Sequence, residues 1–434
     1  MRARRSIVLL LLLALVLFSC GLGQNPSGSA TSEPVISADP DSVRSEPVDG
    51  TTDEGSTSEP DRPATTAGPY GTEPVTEPQT EPEPEVGRVS VLAAGDAIVH
   101  EGIWMEARQT ASLNGSDRTY DFSYLFALVS EQIQSADLAF INQETVMAGE
   151  SYGYSGYPLF NTPRDLAYDL LDAGFNVVNL ATNHMMDKLA AGLKSTIDFW
   201  NSLPCTVIGG YYDEADYDTP RVVEVNGLRI AFLAYCYGTN GLAMEPGWSL
   251  IIPYLDEDVI RRQTEIAKSV ADVVLVSVHW GEDSYQPVTQ YQRQYAQIFA
   301  DCGVDVIIGH HPHLIQPIEW ITGKDGNRCL CAFSLGNLFS LMASSRNMVG
   351  GFFTFDIVGN REGHTIENVR FNPTVFYYKK TFFGQMIIPF SDYTEALAES
   401  HGTQRYGTRN ATREELADYI RGIIDAEFLP EGFR

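Results

Sequence analysis

The feature that most constrains this chain is a cluster of histidines directly behind a short apolar run. Residues 304–308 are apolar except for Asp305, and His310, His311 and His313 follow them almost at once. This pattern predicts a buried strand that delivers imidazoles to its carboxyl end, which is where open α/β sheets bind ligands.

Three other histidines lie in the same kind of position. His100, His184 and His279 each follow an apolar run of their own, so six of the eight histidines fall at the ends of predicted strands. Because imidazole is a common metal ligand, the sequence predicts a metal site collected from several strand ends.

Apolar periodicity predicts alternating strands and helices, and then a strand-rich region. The predicted strands cover residues 88–94, 137–141, 176–180, 207–209, 221–225, 228–234, 273–278, 304–308, 315–322, 329–335, 351–358 and 365–374. The predicted helices cover residues 103–113, 124–134, 163–172, 189–201, 256–269, 290–302, 392–399 and 413–428. Asn226-Gly227 between two apolar runs predicts a hairpin. This order indicates an α/β fold with a mixed or double sheet, in one domain at 88–390 with a C-terminal helical extension at 391–434.

The first twenty residues have the pattern of an export signal. A basic start, Met1–Arg5, precedes an apolar run from Ile7 to Phe18 that is short for a transmembrane helix. The segment ends in Leu17-Phe18-Ser19-Cys20, which resembles a bacterial lipobox and predicts lipidation of Cys20. The alternatives are an ordinary signal peptide and an uncleaved anchor. We expect an extracytoplasmic lipoprotein held on the bacterial cell membrane.

Residues 21–87 are rich in Pro, Ser, Thr and Glu and have almost no large apolar side chains, which predicts a disordered acidic tether. This tether has fourteen acidic and two basic residues, and the remaining residues 88–434 carry a formal charge of −19. Such a surface disfavours nucleic acid and anionic lipid as partners. It would also repel a polyanion unless a local basic or metal-bearing cleft offset the charge.

Six cysteines are present, and the lipidation site leaves five. An odd number argues against a full disulfide framework. We interpret most of Cys205, Cys236, Cys302, Cys329 and Cys331 as buried thiols, with one disulfide still possible. Cys329 and Cys331 should share one face of a strand.

The predicted strand ends supply a mixed set of oxygen and nitrogen ligands. The set contains Asp96, His100, Asn142, Glu144, Asn183, His184, His279, His311 and His313. It suits Zn²⁺, Mn²⁺, Fe or Co better than Ca²⁺, which prefers shells of oxygen alone. One carboxylate that bridges, with nitrogen ligands for each ion, fits a site for two metals.

Six motifs occur in order, each at a strand end. They are Gly95-Asp96, Asn142-x-Glu144, Asn183-His184-x-x-Asp187, His279-Trp280-Gly281, Gly309-x-His311-Pro312-His313 and Ser334-Leu335-Gly336-Asn337. Together they resemble the CapA (poly-γ-glutamate capsule synthesis) family, a branch of the calcineurin-like metallophosphoesterases, over about residues 88–375. The resemblance implies an αββα sandwich of two mixed sheets flanked by helices.

The resemblance also implies roles for the matching residues. Asp96 and His313 would bind a first metal, Glu144 would bridge, and Asn183, His279 and His311 would bind a second. His184 would be the general acid or a donor to the transition state. The ions would be two divalent transition metals, Mn, Zn or Fe, and the superfamily chemistry is attack of a metal-activated hydroxide on phosphorus.

The sequence departs from the superfamily at its first motif. Ile98 stands where the wider superfamily has a histidine, and His100 is the candidate replacement, the alternative being a histidine outside the metal shell. Asp187 either orients His184 or caps the next helix.

Several neighbouring residues have open roles. Asp283 falls where the family tends to have a glutamate. Asn142 is a donor to Glu144 or a turn residue, and Asn337 faces a ligand or stabilises a turn. The motif requires only His311 and His313, so His310 has no assigned role. We expect no catalytic role for His364 or His401.

Two main functions remain open, and the sequence leaves undecided whether the protein is an enzyme. The first is a component of poly-γ-glutamate, capsule or envelope polymer synthesis or export. The second is a metal-dependent phosphoesterase acting in the envelope, and a third, a non-catalytic module that binds the cell wall, is also open. The expected partners are the membrane through the lipid, an anionic envelope polymer and capsule-synthesis membrane proteins, but not nucleic acid.

Overall fold

The structure is a computed structural model that describes residues 86–406 and 409–433, the side chains of residues 405 and 406 excepted. The predicted signal segment, the tether up to residue 85 and the proposed lipidation site Cys20 lie outside the described residues. In the part that is described, no helix is long and apolar enough to cross a membrane.

Fourteen strands and nine α-helices are present in the described residues. The strands are β1 Gly87–Ala97, β2 Leu138–Gln143, β3 Val177–Asn179, β4 Thr206–Ile208, β5 Arg221–Val225, β6 Leu228–Cys236, β7 Val273–His279, β8 Val306–His310, β9 Ile318–Thr322, β10 Arg328–Ala332, β11 Asn337–Phe339, β12 Val349–Asn360, β13 Gly363–Tyr377 and β14 Met386–Pro389. The helices are α1 Glu101–Asn114, α2 Ser130–Gln134, α3 Asp165–Ala173, α4 Leu189–Trp200, α5 Glu214–Tyr217, α6 Glu257–Val270, α7 Gln290–Cys302, α8 Glu395–Ser400 and α9 Arg413–Arg421.

The strands form two mixed sheets. The first has the order β14-β13-β12-β1-β2-β3-β4, and β11 also pairs with β1. The second has the order β5-β6-β7-β8-β10-β9. In each sheet four consecutive strands are parallel, β1 to β4 in the first and β6, β7, β8 and β10 in the second. The carboxyl ends of these parallel strands carry the candidate site.

The second sheet separates two hydrophobic cores, because successive side chains of a strand point to opposite faces. In β7, Val273 and Leu275 join the large core shared with the first sheet, whereas Val274 and Val276 join a smaller core on the outer face. Helices α6 and α7 cover that outer face, and α1, α3 and α4 pack on the large core. The predicted α/β class with two mixed sheets flanked by helices is confirmed.

One predicted helix is wrong. Residues 124–134 form a 3₁₀ turn, Ser123–Phe126, and the short helix α2, with an interruption at Val129, whose φ is −129°. The apolar spacing that suggested a helix survives, since Leu125, Val129 and Ile133 are all buried. Packing against the core, rather than one continuous helix, satisfies the pattern.

The other elements differ mainly at their ends. The hairpin at Asn226-Gly227 is confirmed by the antiparallel pairing of β5 and β6. Helix α5 and strands β11 and β14 have no counterpart in the prediction, and α9 ends at Arg421 instead of 428. The C-terminal segment packs on the same core, and Phe371 N–H donates to Phe428 O at 2.7 Å.

All five described cysteines are free thiols, so the structure contains no disulfide among the residues it describes. Cys236, Cys329 and Cys331 are buried, as predicted. Cys329 and Cys331 both lie in the outer core of the second sheet, which confirms that they share one face of β10.

Candidate metal centre

Strand register brings the predicted ligands together. Asp96 near the end of β1 pairs with Asn142 on β2, and on its other side with Asn337 on β11. Gly95 allows the second approach, because a Cβ there would lie 2.0 Å from Gly336 O. The ends of β7 and β8 then place His279 beside His310.

The turn that follows β8 is held in a strained conformation. His311 has φ 99° and His313 has φ 56°, both in the left-handed region, which costs a side-chain-bearing residue roughly 1–2 kcal/mol. Distant groups bind the carbonyls of this turn. Trp280 N–H donates to His310 O at 3.1 Å and Ser284 N–H to Pro312 O at 3.0 Å.

A third carbonyl in this turn is bound by a side chain. Asn347 Nδ2 donates to His313 O at 3.0 Å. Because these partners come from two segments, the loop that follows β7 and the 3₁₀ turn of Asn347, the histidines take their positions only after the long-range fold has formed.

Asp96 is the centre of a hydrogen-bond network on β1. It is fully buried, and it accepts from Asn142 Nδ2 at 2.8 Å and from His311 N–H at 3.3 Å. His313 Nδ1 lies 3.0 Å from its Oδ2. Burial raises the pKa of Asp96, but the hydrogen bond with His313 and the nearby imidazoles of His310 and His313 outweigh it and hold the pKa well below its usual value. The carboxylate is therefore ionised.

Glu144 presents the strongest sign of a cation-binding site. Both carboxylate oxygens are buried and have no hydrogen-bond partner, and burial raises the pKa of Glu144 well above its usual value. Its Oε1 lies 3.6 Å from His313 Nε2 and 3.8 Å from His279 Nε2. A buried carboxylate without a partner is costly unless it binds a metal, so these residues fit the implied ions.

Two groups of side chains place their ligand atoms within 4.8 Å of one another: Glu144 with His311 and His313, and Asp96 with Glu144 and His279. Glu144 belongs to both groups, which is the arrangement of a bridging ligand. The histidines are divided differently from the resemblance, which assigns His311 with His279 and His313 with Asp96. The assignment of each residue to one ion stays a prediction.

Three histidines differ in charge state because their surroundings differ. Burial lowers the pKa of His279 well below its usual value, and burial with the charge of His313 lowers the pKa of His311 to about 3. Burial also lowers the pKa of His313, but Glu144 and Asp96 outweigh it and raise that pKa to about 9. His279 and His311 are thus neutral, the form in which imidazole binds a metal.

The motif after β3 adds an amide and a histidine with its carboxylate. Asn183 Oδ1 lies 3.0 Å from His279 Nε2. His184 Nδ1 lies 2.8 Å from Asp187 Oδ2, which also accepts from Phe160 N–H at 2.7 Å. Asp187 does not cap the next helix, whose N-cap is Lys188 without a side-chain bond. The carboxylate orients His184 instead.

The other predicted residues lie around these groups. His100 is the N-cap of α1, and its Nδ1 accepts from Leu341 N–H at 3.2 Å. Burial lowers the pKa of His100 to about 4, and neither candidate group contains it. Asp283 is exposed and accepts from Ser284 Oγ at 2.7 Å on the loop that contacts Pro312. The predicted role of each as a ligand or substrate contact remains a prediction.

Two asparagines support the carboxylate and the last histidine. Asn142 donates to Asp96, not to Glu144, and accepts from Asn179 Nδ2 at 2.7 Å. Asn337 Oδ1 lies 3.1 Å from His313 Nδ1. Both side chains are fully buried, so their contacts are with the candidate ligands and not with solvent.

The remaining histidines make other contacts, although both ring nitrogens of the buried His310 have no hydrogen-bond partner among the described residues. His310 stacks on Phe140 at 5.6 Å, and its Nδ1 is 3.4 Å from Asp96 Oδ1 without forming a hydrogen bond. His364 lies 2.9 Å from Asp305, and His401 Nε2 lies 3.0 Å from Phe376 O.

Sequence reasoning missed two side chains at the site. The ring of Tyr237 lies 4.6 Å from that of His311 and 6.5 Å from that of His279, with 37% of the residue exposed. Tyr237 directly follows β6, so its place at a strand end was a usable signal. Asn347, which donates to His313 O, lies in a 3₁₀ turn that no sequence pattern marks.

Comparison with known proteins identifies relatives of the chain. Residues 90–341 match the family model described as Bacterial capsule synthesis protein PGA_cap. The chain is 33% identical over 170 residues to the PGA biosynthesis protein CapA of Bacillus subtilis (strain 168), covering 39% of this chain and 43% of that protein. It is 30% identical over 226 residues to the Capsule biosynthesis protein CapA of Bacillus anthracis, covering 50% and 54%. The chain therefore spans about half the length of the curated relatives it matches.

A solved structure also aligns with the chain. The calcineurin-like phosphoesterase YfkN of Bacillus subtilis has a TM-score of 0.35 and 9% identity, covering 78% of this chain and 97% of that chain. This likeness is too low to assign an activity to the chain.

Proposed function

Because the chain belongs to the family of bacterial capsule synthesis proteins, we propose that it is an accessory of capsule or poly-γ-glutamate assembly and that its site hydrolyses a phosphoester. The observation that carries the proposal is the unpartnered Glu144, which lies within 4 Å of His279 and His313. The pair His184–Asp187 beside this group supplies acid chemistry that a structural metal site does not need.

The metal would be held by side chains from both sheets. These are Asp96, Glu144, Asn183, His279, His311 and His313, a set of oxygen and nitrogen donors that suits two divalent transition ions such as Mn, Zn or Fe. Bound there, the ions would neutralise charge on the phosphoryl group and activate a water molecule.

His184 moves the proton in this proposal. Asp187 accepts a hydrogen bond from Nδ1–H and so fixes the ring orientation. In the imidazolium form, Nε2–H donates its proton to the leaving oxygen, and the ring becomes the neutral Nδ1–H tautomer. The ring of Phe160 packs on His184 at 4.8 Å and limits water around it. Asp187 is buried, with its other oxygen unpartnered, so its charge acts on the imidazole.

The test measures metal content and hydrolysis of a phosphoester panel by the wild type and by His184→Asn. We expect bound metal in both proteins and a loss of kcat of about 10²–10⁴-fold in the variant, the usual worth of a general acid. His364→Asn, which changes a histidine bonded to Asp305 elsewhere, is the matched control and should keep full activity. Equal rates for the wild type and His184→Asn would remove the hydrolase proposal.

A second candidate is a capsule-assembly protein whose metal centre organises the domain without catalysis. The names of the relatives favour it, because they describe capsule or PGA biosynthesis and no hydrolysis. Restoration of polymer production in a deletion strain separates the two. If His184→Asn restores the polymer but Glu144→Ala does not, the site is needed for metal binding alone.

Anchoring belongs to the same proposal. We expect lipidation at Cys20 to hold the protein on the outer face of the cell membrane, near capsule-synthesis membrane proteins and an anionic polymer. Labelling cells with an alkyne fatty acid should mark the wild type and not Cys20→Ala. Equal labelling of both proteins would contradict the lipoprotein assignment.

A further inference from the structure

A cavity of about 630 Å³ lies between the loop that precedes β12 and helix α9. Its walls combine the hydroxyls of Ser344 and Ser345 and the ring of Tyr419 with the apolar side chain of Leu416. Arg346 also lines it, exposed to solvent, with its guanidinium 5.2 Å from the centre of the Tyr419 ring. The cavity thus combines a cation and hydroxyls with an apolar side chain.

Arg346 supplies the uncompensated charge of this cavity. The two carboxylates in the lining are already bonded, Glu415 to Arg409 at 2.6 Å and Asp418 to Arg421 at 2.9 Å. Arg346 has no carboxylate partner among the residues that the structure describes. Its planar guanidinium therefore remains available for an oxyanion, which it can bind through two parallel hydrogen bonds.

Hydrogen bonds link both walls of the cavity to the segment that follows β8. On one wall Asn347, the neighbour of Arg346, donates to His313 O at 3.0 Å. On the other, Tyr419 OH donates to Gln286 Oε1 at 2.8 Å, and Gln286 Nε2 donates to Ile315 O at 2.6 Å. The cavity therefore adjoins the turn that follows β8.

We propose that this cavity binds one carboxylate of an anionic chain, with Arg346 as its counter-ion and the side chain of Leu416 in contact with a methylene spacer. A γ-linked glutamate chain has this chemistry, with a carboxylate and a short methylene spacer in every unit. The identification of the polymer rests on the proposed function, but the binding chemistry does not. Because residues 88–434 carry a formal charge of −19, a polyanion is repelled over much of the domain, and Arg346 offsets that repulsion at this cavity.

The test is to titrate the purified protein with a short γ-linked glutamate oligomer in low salt and to measure the binding by calorimetry. Arg346→Met should weaken binding by about tenfold or more, because a charge-assisted hydrogen-bond pair is lost. The matched control is Arg328→Met, since Arg328 is also exposed and stacks on an aromatic ring, that of Trp320, at 4.1 Å. It should bind the oligomer like the wild type. Equal binding by Arg346→Met and the wild type, or equal losses in both variants, would overturn the proposal.

Two further arms separate this inference from the phosphoesterase proposal. Binding should survive chelation of metals and the change His184→Asn, neither of which alters the cavity. Loss of oligomer binding on chelation would place the polymer on the metal centre and overturn the inference. Inorganic phosphate should not displace the oligomer, and displacement at equal concentration would overturn the assignment to a carboxylate. Failure of hydrolysis with these results intact would refute only the catalytic proposal.

Discussion

Replacing Asn347 with alanine tests whether the strained turn is what places His313. Asn347 Nδ2 donates to His313 O at 3.0 Å, and its own carbonyl accepts from Asn337 Nδ2 at 2.9 Å. Asn337 in turn lies 3.1 Å from His313 Nδ1, so the three residues form a closed ring of contacts. Asn347→Ala removes only the side-chain donor, which leaves a buried carbonyl on a residue with φ 56°.

The size of the effect follows from two independent estimates. A buried acceptor left without its donor costs about 1–3 kcal/mol, which corresponds to about 5- to 150-fold in an equilibrium constant. Loss of a bond that orients a metal ligand typically costs about 10- to 100-fold in metal affinity. The left-handed backbone of His313, which costs about 1–2 kcal/mol, relaxes once its carbonyl is free, and the imidazole then leaves its position beside Glu144. We expect Mn²⁺ or Zn²⁺ affinity to fall about 10- to 100-fold.

The assay is competition for metal with a chelator, together with thermal unfolding of the metal-free protein. Asn327→Ala is the matched control, because Asn327 Nδ2 also donates to a backbone carbonyl, Ala300 O, at 2.9 Å. It should reduce stability without changing metal affinity. The reasoning is refuted if Asn347→Ala binds metal like the wild type, or if both variants lose affinity equally.

Three other changes probe the same region. Tyr237→Ala should weaken metal binding about 2- to 10-fold because it removes the ring that packs on His311, whereas Tyr237→Phe should bind metal like the wild type. Equal losses of affinity in the two variants, measured by competition with a chelator, would contradict this role of the ring. The raised pKa of His313, about 9 against an ordinary 6.5, stabilises the metal-free fold below pH 6.5, and this stability is lost as the pH rises through 9. Melting temperatures should therefore fall over that window in the wild type, and a fall of the same size in His313→Gln would contradict the assignment. Gly309→Ala should abolish folding by circular dichroism, because its Cβ would lie 2.1 Å from Phe333 O, whereas Gly363→Ala, with open space, should fold.

The class of fold could be predicted because it depends on short-range patterns. Apolar runs such as 273–278 mark buried strands whichever sheet they enter, and Asn226-Gly227 specifies its hairpin locally. The prediction of a helix at 124–134 was wrong because a turn, a break at Val129 and one short helix produce the same apolar spacing. The period of the pattern reports which side chains are buried, and it does not report whether the backbone between them is continuous.

The site was predictable only where its residues end parallel strands. Such ends meet at one edge, so Asp96, Glu144 and His279 could be grouped without knowing the sheet order. Asn347 could not be assigned to the site from the sequence. It lies in a turn that reaches the site only because β11 and β12 pair with the rest of the first sheet. Its contribution is a single bond to a carbonyl, and the sequence contains no periodic trace of such a bond.

The histidine cluster therefore needs the rest of the chain to become a binding site. In isolation His311 and His313 would avoid the left-handed region, which glycine adopts far more readily than any residue with a side chain. In the folded protein the carbonyl ahead of this pair is bound by Trp280, and the carbonyl of His313 by Asn347, while Asp96 accepts from His311 N–H. The strain is thus maintained by long-range bonds that form only in the complete sandwich. Free energy released by packing two sheets is what keeps these imidazoles beside Glu144, and a metal would then bind ligands that are already in place.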